Sequence, residues 1–195
     1  MALRPAVFLD KDGTIVDDVP YNVDPQRMTF APGAEAGLTL LGQLGLPLIV
    51  VSNQPGVALQ KFGIEALAGV HDRLTQMFEA AGAHLHDFYY CPHHPDGLLA
   101  PYADPCACRK PAPGLVLTAA REHSIDLSRS WMVGDILNDV EAGRRAGCRT
   151  VLIDNGNETE WIMNVWREPD FRASDLLEAA RHVAQHPRHV EEPAT

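Results

Sequence analysis

The chain reads Val7-Phe8-Leu9-Asp10-Lys11-Asp12-Gly13-Thr14 near its start, an apolar run that ends in two aspartates one residue apart. Apolar residues without alternation predict a strand that is covered on both faces. Gly13 favours a turn directly after that strand, because glycine adopts backbone angles that other residues resist. Ligands of open α/β sheets bind at the carboxyl ends of strands, so Asp10 and Asp12 are predicted to lie at a binding edge.

Two carboxylates this close repel each other unless a positive group lies between them. A divalent cation, a shared proton or a lysine would each relieve the repulsion, and Mg²⁺ prefers oxygen ligands of this kind. One aspartate could attack phosphorus to form an aspartyl-phosphate, while the other handles the proton of the leaving group. The alternative is an Asp-Gly turn with solvated charges, and this pair alone does not decide between the two.

Length and charge predict one α/β domain that acts on a small molecule. The 195 residues can bury one core, which we place at 1–187, followed by a frayed polar tail at 188–195. A formal net charge of −10 argues against a nucleic-acid surface, although a few local cations would suffice to bind a small anion. Without a membrane-spanning run or a recognisable signal peptide, we expect a cytoplasmic monomer that binds no membrane and no nucleic acid.

Strand and helix patterns alternate along the whole chain. Apolar strands are predicted at 7–9, 47–51, 87–90, 131–133 and 150–153. Helical spacing is found over 33–44, 64–81, 114–122, 138–146 and 176–183. Ser174 is the expected N-cap of the last helix. The alternation predicts a Rossmann-like, mostly parallel sheet with helices on both faces.

Small polar residues follow three of these strands. Asp10 and Asp12 come after the first, Ser52 and Asn53 after the second, and Asp135 after the strand at 131–133. Each of these could be an ordinary turn or helix cap. Because the carboxyl ends of parallel strands share one edge of a sheet, we instead expect all of them to converge in one site.

The chemistry of phosphate-ester hydrolysis is complete if Lys110 joins this site. In that hypothesis Asp10 attacks the phosphorus, and Asp12 protonates the leaving alkoxide and later activates water. Mg²⁺ is held by the Asp10 carboxylate, the Asp12 backbone carbonyl and Asp135. The Ser52 hydroxyl and the Lys110 ammonium group hold other phosphate oxygens.

Asp139 lies one helical turn after Asp135, and two roles are open to it. It could hydrogen-bond a metal-bound water or Lys110. It could equally be an ordinary acid in the first turn of a helix, where carboxylates are favourable.

These residues resemble a known family. D-K-D-G-T, a strand ending in S-N-Q, R-K-P-A-P-G and V-G-D-x-x-x-D resemble the four motifs of the haloacid dehalogenase superfamily of phosphatases, in the same order, over positions 7–139. The resemblance implies dependence on Mg²⁺. It assigns phosphate binding to the segment that contains Ser52 and Asn53 and to Lys110.

The proline-rich segment at 91–113 contains a candidate zinc site. Cys91 and His93 form a Cys-x-His pair, and Cys106 and Cys108 form a Cys-x-Cys pair. Three thiolates and one imidazole make a closed tetrahedral site of the structural type, and a loop with little core of its own needs such a metal. His94 is the alternative nitrogen ligand, and three unrelated reduced cysteines beside a surface histidine are the alternative to a metal site.

This loop is similar to that of two groups in the superfamily, the heptose 1,7-bisphosphate 7-phosphatases and the histidinol-phosphate phosphatases. The resemblance implies no large cap domain, a zinc-stabilised loop that forms a partial lid, and a phosphorylated sugar or amino-alcohol substrate. Arg109 is the candidate for a second anionic group, because guanidinium binds phosphate in a bidentate manner. From this resemblance we expect removal of the 7-phosphate of a heptose bisphosphate. The alternatives are histidinol phosphate or a nucleic-acid 3′-phosphate as substrate and, from another class, a non-catalytic sugar-phosphate or zinc-dependent interaction module.

Overall fold

Six parallel strands form one sheet in the computed structural model, which describes residues 3–186. The predicted domain end at 187 and the predicted tail at 188–195 lie outside the described residues. The strand order across the sheet is β3-β2-β1-β4-β5-β6, and every neighbouring pair is parallel. The strands are β1 (Val7–Leu9), β2 (Leu48–Asn53), β3 (Leu85–Cys91), β4 (Trp131–Gly134), β5 (Arg149–Ile153) and β6 (Phe171–Ala173).

Helices cover the sheet on both faces, as the alternating pattern predicts. They are α1 (Ala34–Gly42), α2 (Ala66–Ala80), α3 (Gly114–His123), α4 (Leu137–Ala146) and α5 (Leu176–Gln185). Val7 and Leu9 of β1 pack with apolar residues of α1, α2 and α5. Phe8, which points to the opposite face, packs with Leu115 and Val116 of α3. Because both faces of β1 are covered, its three side chains are fully buried, and this explains its unbroken apolar sequence.

The prediction of Ser174 as the N-cap of the last helix is wrong. The cap is Asp175, whose carboxylate accepts a hydrogen bond from the Glu178 backbone N–H at 2.8 Å. Ser174 instead donates its hydroxyl to the Glu178 carboxylate at 2.8 Å. The helix therefore begins one residue later than predicted, because Asp175 is its N-cap and Ser174 binds Glu178 in the first turn.

The sequence analysis also missed one strand. β6 is only three residues long, lies at the edge of the sheet and carries one buried side chain, Ala173. A strand this short shows no alternation that could reveal it. The predicted bounds of the other elements differ from the observed ones by at most a few residues.

Two irregular segments border the carboxyl edge of the sheet. The segment at 17–32 contains a single 3₁₀ turn (Pro25–Arg27), and an antiparallel bridge between Val16 and Phe30 closes its base. The other segment, at 92–113, contains neither helix nor strand. No large cap domain is inserted in either position. Among residues 3–186, no helix has the length and hydropathy needed to cross a bilayer.

Candidate active site

Six of the predicted site residues line a cavity of about 360 Å³ at the carboxyl edge of the sheet, whereas Ser52 is buried and is not part of the cavity wall. β1 delivers Asp10, whose backbone N–H donates to the Val133 carbonyl of the neighbouring β4 at 2.9 Å. The segment at 17–32 contributes an aromatic wall through Tyr21, to which Phe62 is added from the segment after β2. The cavity is lined by Asp10, Asp12, Asn53, Arg109, Lys110 and Asp135, among others.

Lys110 ties three parts of the site together. Its ammonium group donates to Asp10 in a short hydrogen bond and to the Val51 carbonyl of β2 at 2.9 Å. It also forms an ion pair with Asp139 of α4 at 2.7 Å. Burial alone would lower the pKa of Lys110, but the carboxylates of Asp10 and Asp139 raise it above its ordinary value. Lys110 is therefore a permanent cation at the base of the cavity.

Asp139 fills both of the roles that the sequence left open. Besides its ion pair with Lys110, it accepts a hydrogen bond from the Ile136 backbone N–H at 3.2 Å, at the start of α4. The residue is completely buried, so its charge depends on those partners. It therefore links the first turn of α4 to the lysine of the site.

Three buried carboxylates lie together here, and Lys110 pairs with two of them, Asp10 and Asp139. One oxygen each of Asp10, Asp135 and Asp139 lies within 4.8 Å of the others. Burial raises the pKa of Asp135 to about 8, and the charges of Asp10 and Asp139 add to this effect. Three carboxylates with one ammonium group leave an excess of two negative charges, and a divalent cation is the group that allows all three to ionise together.

The residues present therefore fit Mg²⁺, a hard cation that takes oxygen ligands. Asp10 and Asp135 would hold it, as the sequence predicts, and Asp139 is near enough to act directly or through water. The Asp12 carboxylate is bound by Lys11 and Gln54, and the backbone carbonyl of Asp12 as a Mg²⁺ ligand remains a prediction.

Asp12 stands at the mouth of the cavity with its side chain 30% exposed. Its carboxylate accepts hydrogen bonds from Lys11 at 2.5 Å and from the Gln54 amide at 3.2 Å. The same amide donates to the Ser52 hydroxyl at 2.8 Å. Burial raises the pKa of Asp12, with a further contribution from Asp10 that opposes the lowering by Lys11. A carboxyl group with a raised pKa at an open position is suited to exchange protons with a bound ligand.

Asn53 supports Lys110 through a two-way backbone contact. Its amide nitrogen donates to the Lys110 carbonyl, and its amide oxygen accepts from the Lys110 N–H, both at 3.0 Å. Arg109, the preceding residue, donates to the His93 carbonyl at 3.2 Å and also lines the cavity. Asn53 thus ties the 92–113 segment to the end of β2, whereas Arg109 makes its hydrogen bond within that segment. The contact of either residue with phosphate remains a prediction.

The four predicted zinc ligands lie together beside the cavity. The Cys91 sulfur is 3.6 Å from His93 Nδ1, 3.6 Å from the Cys106 sulfur and 3.0 Å from the Cys108 sulfur. His94 is not part of the cluster, because its Nδ1 accepts a hydrogen bond from the Asp96 N–H at 3.1 Å.

This donor set fits a structural zinc ion. Three thiols and one imidazole within 4.8 Å of one another satisfy the ligand number of a closed tetrahedral site. They join the end of β3 to a segment without regular structure, which a metal would hold in place. Because Cys108 precedes Arg109 and Lys110 directly, the cysteine–histidine cluster and the cavity share one short piece of chain.

We expect Cys106→Ser to reduce both zinc content and activity. Loss of one thiolate weakens the tetrahedral site, and the loop that positions Arg109 and Lys110 then loses its anchor. Elemental analysis of the purified protein should give one zinc per wild-type chain and clearly less in the variant. Turnover of a phosphate ester should fall at least about tenfold.

Cys148→Ser is the matched control for this experiment. Cys148 is buried in the same apolar cluster as Cys91, but it does not belong to the group of four residues that could hold the metal. Its substitution should leave the zinc content unchanged. Full activity and full zinc content in Cys106→Ser would contradict the predicted zinc site.

Sequence reasoning missed several polar side chains that contact the predicted site residues. Gln54 joins Ser52 to Asp12, and Thr14 donates to Asp135 at 3.3 Å. Asn157 donates to the other oxygen of Asp135 at 2.7 Å. The first two belong to the D-K-D-G-T and S-N-Q motifs and could have been included on that basis. Nothing in the local sequence around Asn157 indicates its contact.

Comparisons with known proteins agree with this geometry. A family model described as HAD-hydrolase-like matches residues 107–179. The chain is similar to the D-glycero-beta-D-manno-heptose-1,7-bisphosphate 7-phosphatase of Yersinia pestis, with 35% identity over 82% of this chain and 90% of the relative. It shares 40% identity with the protein of the same name from Photorhabdus laumondii, over 78% of this chain and 81% of the relative.

A solved structure extends the similarity to the fold. The D,D-heptose 1,7-bisphosphate phosphatase of B. bronchiseptica, complexed with magnesium and phosphate, matches with a TM-score of 0.76 and 28% identity. The match covers 93% of this chain and 98% of that one. Phosphatases of this superfamily use Mg²⁺, and the carboxylate cluster described above fits that requirement. The chain belongs to the haloacid-dehalogenase-like phosphatases, in the family that contains the heptose 1,7-bisphosphate 7-phosphatases.

Proposed function

We propose that this phosphatase removes the 7-phosphate of D-glycero-D-manno-heptose 1,7-bisphosphate through an aspartyl-phosphate on Asp10. The observation that carries the proposed chemistry is the buried Asp10, held by Lys110 beside two further carboxylates, with Asp12 at the mouth of the same cavity. The proposed substrate is supported by the printed names of relatives that share 35% and 40% identity.

Asp10 is the proposed nucleophile. Its carboxylate oxygen attacks phosphorus, the bond to the leaving oxygen breaks, and the phosphoryl group is carried by the aspartate. Lys110 holds the carboxylate in one orientation and adds a positive charge close to the entering phosphate oxygens. Mg²⁺, when bound by Asp10 and Asp135, supplies further positive charge for the same oxygens.

Asp12 is the proposed general acid and base. In its protonated form it gives a proton to the leaving sugar oxygen, and as a carboxylate it then takes a proton from the water that hydrolyses the aspartyl-phosphate. Its raised pKa favours the protonated form before the first step. The hydrogen bond from Gln54 to Asp12 Oδ2 holds the carboxylate at the cavity, and Lys11 binds the other oxygen, Oδ1.

Ser52, Asn53 and Arg109 are the proposed phosphate and substrate contacts. The Ser52 hydroxyl is buried and already accepts from Gln54, so its own proton is available to a phosphate oxygen. Arg109 lines the cavity with one guanidinium nitrogen bound to the loop, and its remaining donors can meet a second anionic group. We further propose a monomer that acts in the cytoplasm, where reduced thiols suit the zinc cluster.

The choice of substrate tests this proposal. We expect kcat/KM for heptose 1,7-bisphosphate to exceed that for histidinol phosphate by about 100-fold or more, because a cationic amine cannot replace an anionic group next to Arg109. A preference for histidinol phosphate would assign the enzyme to the other group that its zinc loop resembles. Absence of hydrolysis with every phosphate ester, with binding retained, would instead favour a non-catalytic module.

Arg109→Ala provides the second arm of this experiment. If Arg109 binds the distal anionic group, the variant should lose far more kcat/KM for the bisphosphate than for p-nitrophenyl phosphate, which has no such group. Arg121→Ala is the control, since the Arg121 side chain is 75% exposed on α3. Equal losses for both substrates would limit Arg109 to a structural role.

A further inference from the structure

The segment after β5 reaches into the site through Asn157. The side-chain amide of this residue donates to Asp135 Oδ2 at 2.7 Å, the shortest side-chain contact that Asp135 makes. On the other side, the Thr14 hydroxyl donates to Asp135 Oδ1 at 3.3 Å. Each oxygen of this carboxylate therefore has its own neutral donor. The two donors, Thr14 and Asn157, are far apart in the sequence.

Two neighbours of Asn157 bind other parts of the same site. Asn155 donates its amide to the Gly13 carbonyl at 2.8 Å, in the turn that follows β1. Glu158 accepts a hydrogen bond from the Leu137 N–H at 2.7 Å, in the first turn of α4. Residues 155–158 thus contact the two chain segments that carry Asp10 and Asp135.

The turn at 155–157 fixes the position of the Asn157 side-chain amide before any metal binds. The Asn155 side-chain oxygen accepts from the Asn157 N–H at 3.2 Å, and Gly156 between them has a φ of 94°, which suits glycine. The amide is also closely packed against the turn at Gly13. A Cβ atom at Gly13 would lie 2.4 Å from the Asn157 amide nitrogen and 2.0 Å from Asp135 Oδ2.

We propose that Asn157 is a positioning residue of the Mg²⁺ site, which orients Asp135 for the metal. A carboxylate that must bind a cation loses rotational freedom when it does so, and a fixed donor on one of its oxygens removes part of that loss beforehand. Asn157 supplies such a donor without adding charge. This inference rests on the metal centre of the proposed function, although it does not depend on which phosphate ester is hydrolysed.

The test is the affinity for Mg²⁺ itself. In Asn157→Ala, we expect isothermal titration calorimetry with MgCl₂ to give a Kd that is raised about 10- to 100-fold, as for other partners of metal ligands. With p-nitrophenyl phosphate, the Mg²⁺ concentration at half-maximal rate should rise by the same factor. The rate at saturating Mg²⁺ should return to within a few-fold of the wild-type rate, which a general loss of structure would not allow.

Two further variants separate orientation from stability. Asn164→Ala is the matched control, because Asn164 lies in the same segment and its side-chain oxygen accepts from the Trp166 N–H at 2.8 Å. Its backbone carbonyl, which accepts from the Arg167 N–H, is retained in the variant. Asn157→Gln keeps the amide donor on a longer side chain and should recover part of the lost affinity.

The outcomes distinguish this inference from the proposed function. A Kd in Asn157→Ala within twofold of the wild-type value would overturn the role of Asn157 and leave the metal centre intact. Wild-type protein that binds no Mg²⁺ and keeps its activity in EDTA would overturn the metal centre and the inference together.

Discussion

Asp10→Asn is expected to abolish turnover, with a loss on the order of 10⁴- to 10⁶-fold for every phosphate ester. The amide oxygen of asparagine is a far weaker nucleophile than a carboxylate, so the aspartyl-phosphate cannot form. The measurement is a single-turnover assay with an excess of enzyme, which detects chemistry even when product release is slow. Acid-quenched wild-type enzyme should carry labelled phosphate, and the variant should carry none.

The fold should survive this substitution. Asparagine has nearly the same shape as aspartate, and Lys110 keeps the Val51 carbonyl and the Asp139 carboxylate as partners. Asp72→Asn is the control, since Asp72 is exposed on α2 and far from the chemistry. Turnover near the wild-type rate in Asp10→Asn, with an intact fold, would contradict covalent catalysis by this residue.

The fold could be predicted from the sequence because its central elements carry strong local signals. β1 is covered on both faces, and its apolar run has no other simple explanation. Alternation with amphipathic helices then implies a parallel sheet, which the observed order of six strands confirms. The errors occur where the signal is short, namely at β6 with its three residues and at Ser174 beside the true cap Asp175.

The site could be predicted only as far as topology brings residues to one edge. Parallel strands place Asp10 and Asp135 together, and this required no knowledge of side-chain packing. The contact of Gln54 with Asp12 spans 42 positions in the chain, and that of Asn157 with Asp135 spans 22. Gln54 could at least be suspected from its motif, but Asn157 lies in a turn where a polar residue is indistinguishable in sequence from a solvated one, because its partner is set by the path of the loop.

The choice between His93 and His94 as the zinc ligand also depends on the path of a loop. Both histidines follow Cys91 at spacings that permit zinc binding, so chemistry alone left the ligand open. In the structure His93 lies with the three cysteines, whereas His94 Nδ1 accepts a hydrogen bond from the Asp96 N–H. Which histidine lies beside the sulfur atoms depends on the path of the loop, and spacing alone does not give that path.

Lys110→Met is expected to have the second largest effect, and it should act on stability as well as rate. The ammonium group is buried, with 3% of the side chain exposed, and it is the cation that Asp10 and Asp139 share. Removing one partner of a buried ion pair while leaving the other typically costs about 3 to 5 kcal/mol. Methionine fills most of the volume of the lysine side chain. The loss in the free energy of unfolding is therefore caused by the uncompensated carboxylates and not by a cavity.

The free energy of unfolding of Lys110→Met should therefore fall by about 3 kcal/mol or more in metal-free buffer, as measured by urea denaturation. Mg²⁺ should restore part of that loss, because a cation bound to Asp10 and Asp135 stabilises the folded state by mass action and relieves the same repulsion. Turnover should remain at least about 10³-fold below wild type even with Mg²⁺, since the charge next to the phosphate is missing. Arg121→Met, at a position on α3 whose side chain is 75% exposed, is the control. A variant as stable as the wild type without Mg²⁺ would show that Lys110 does not balance the buried carboxylates.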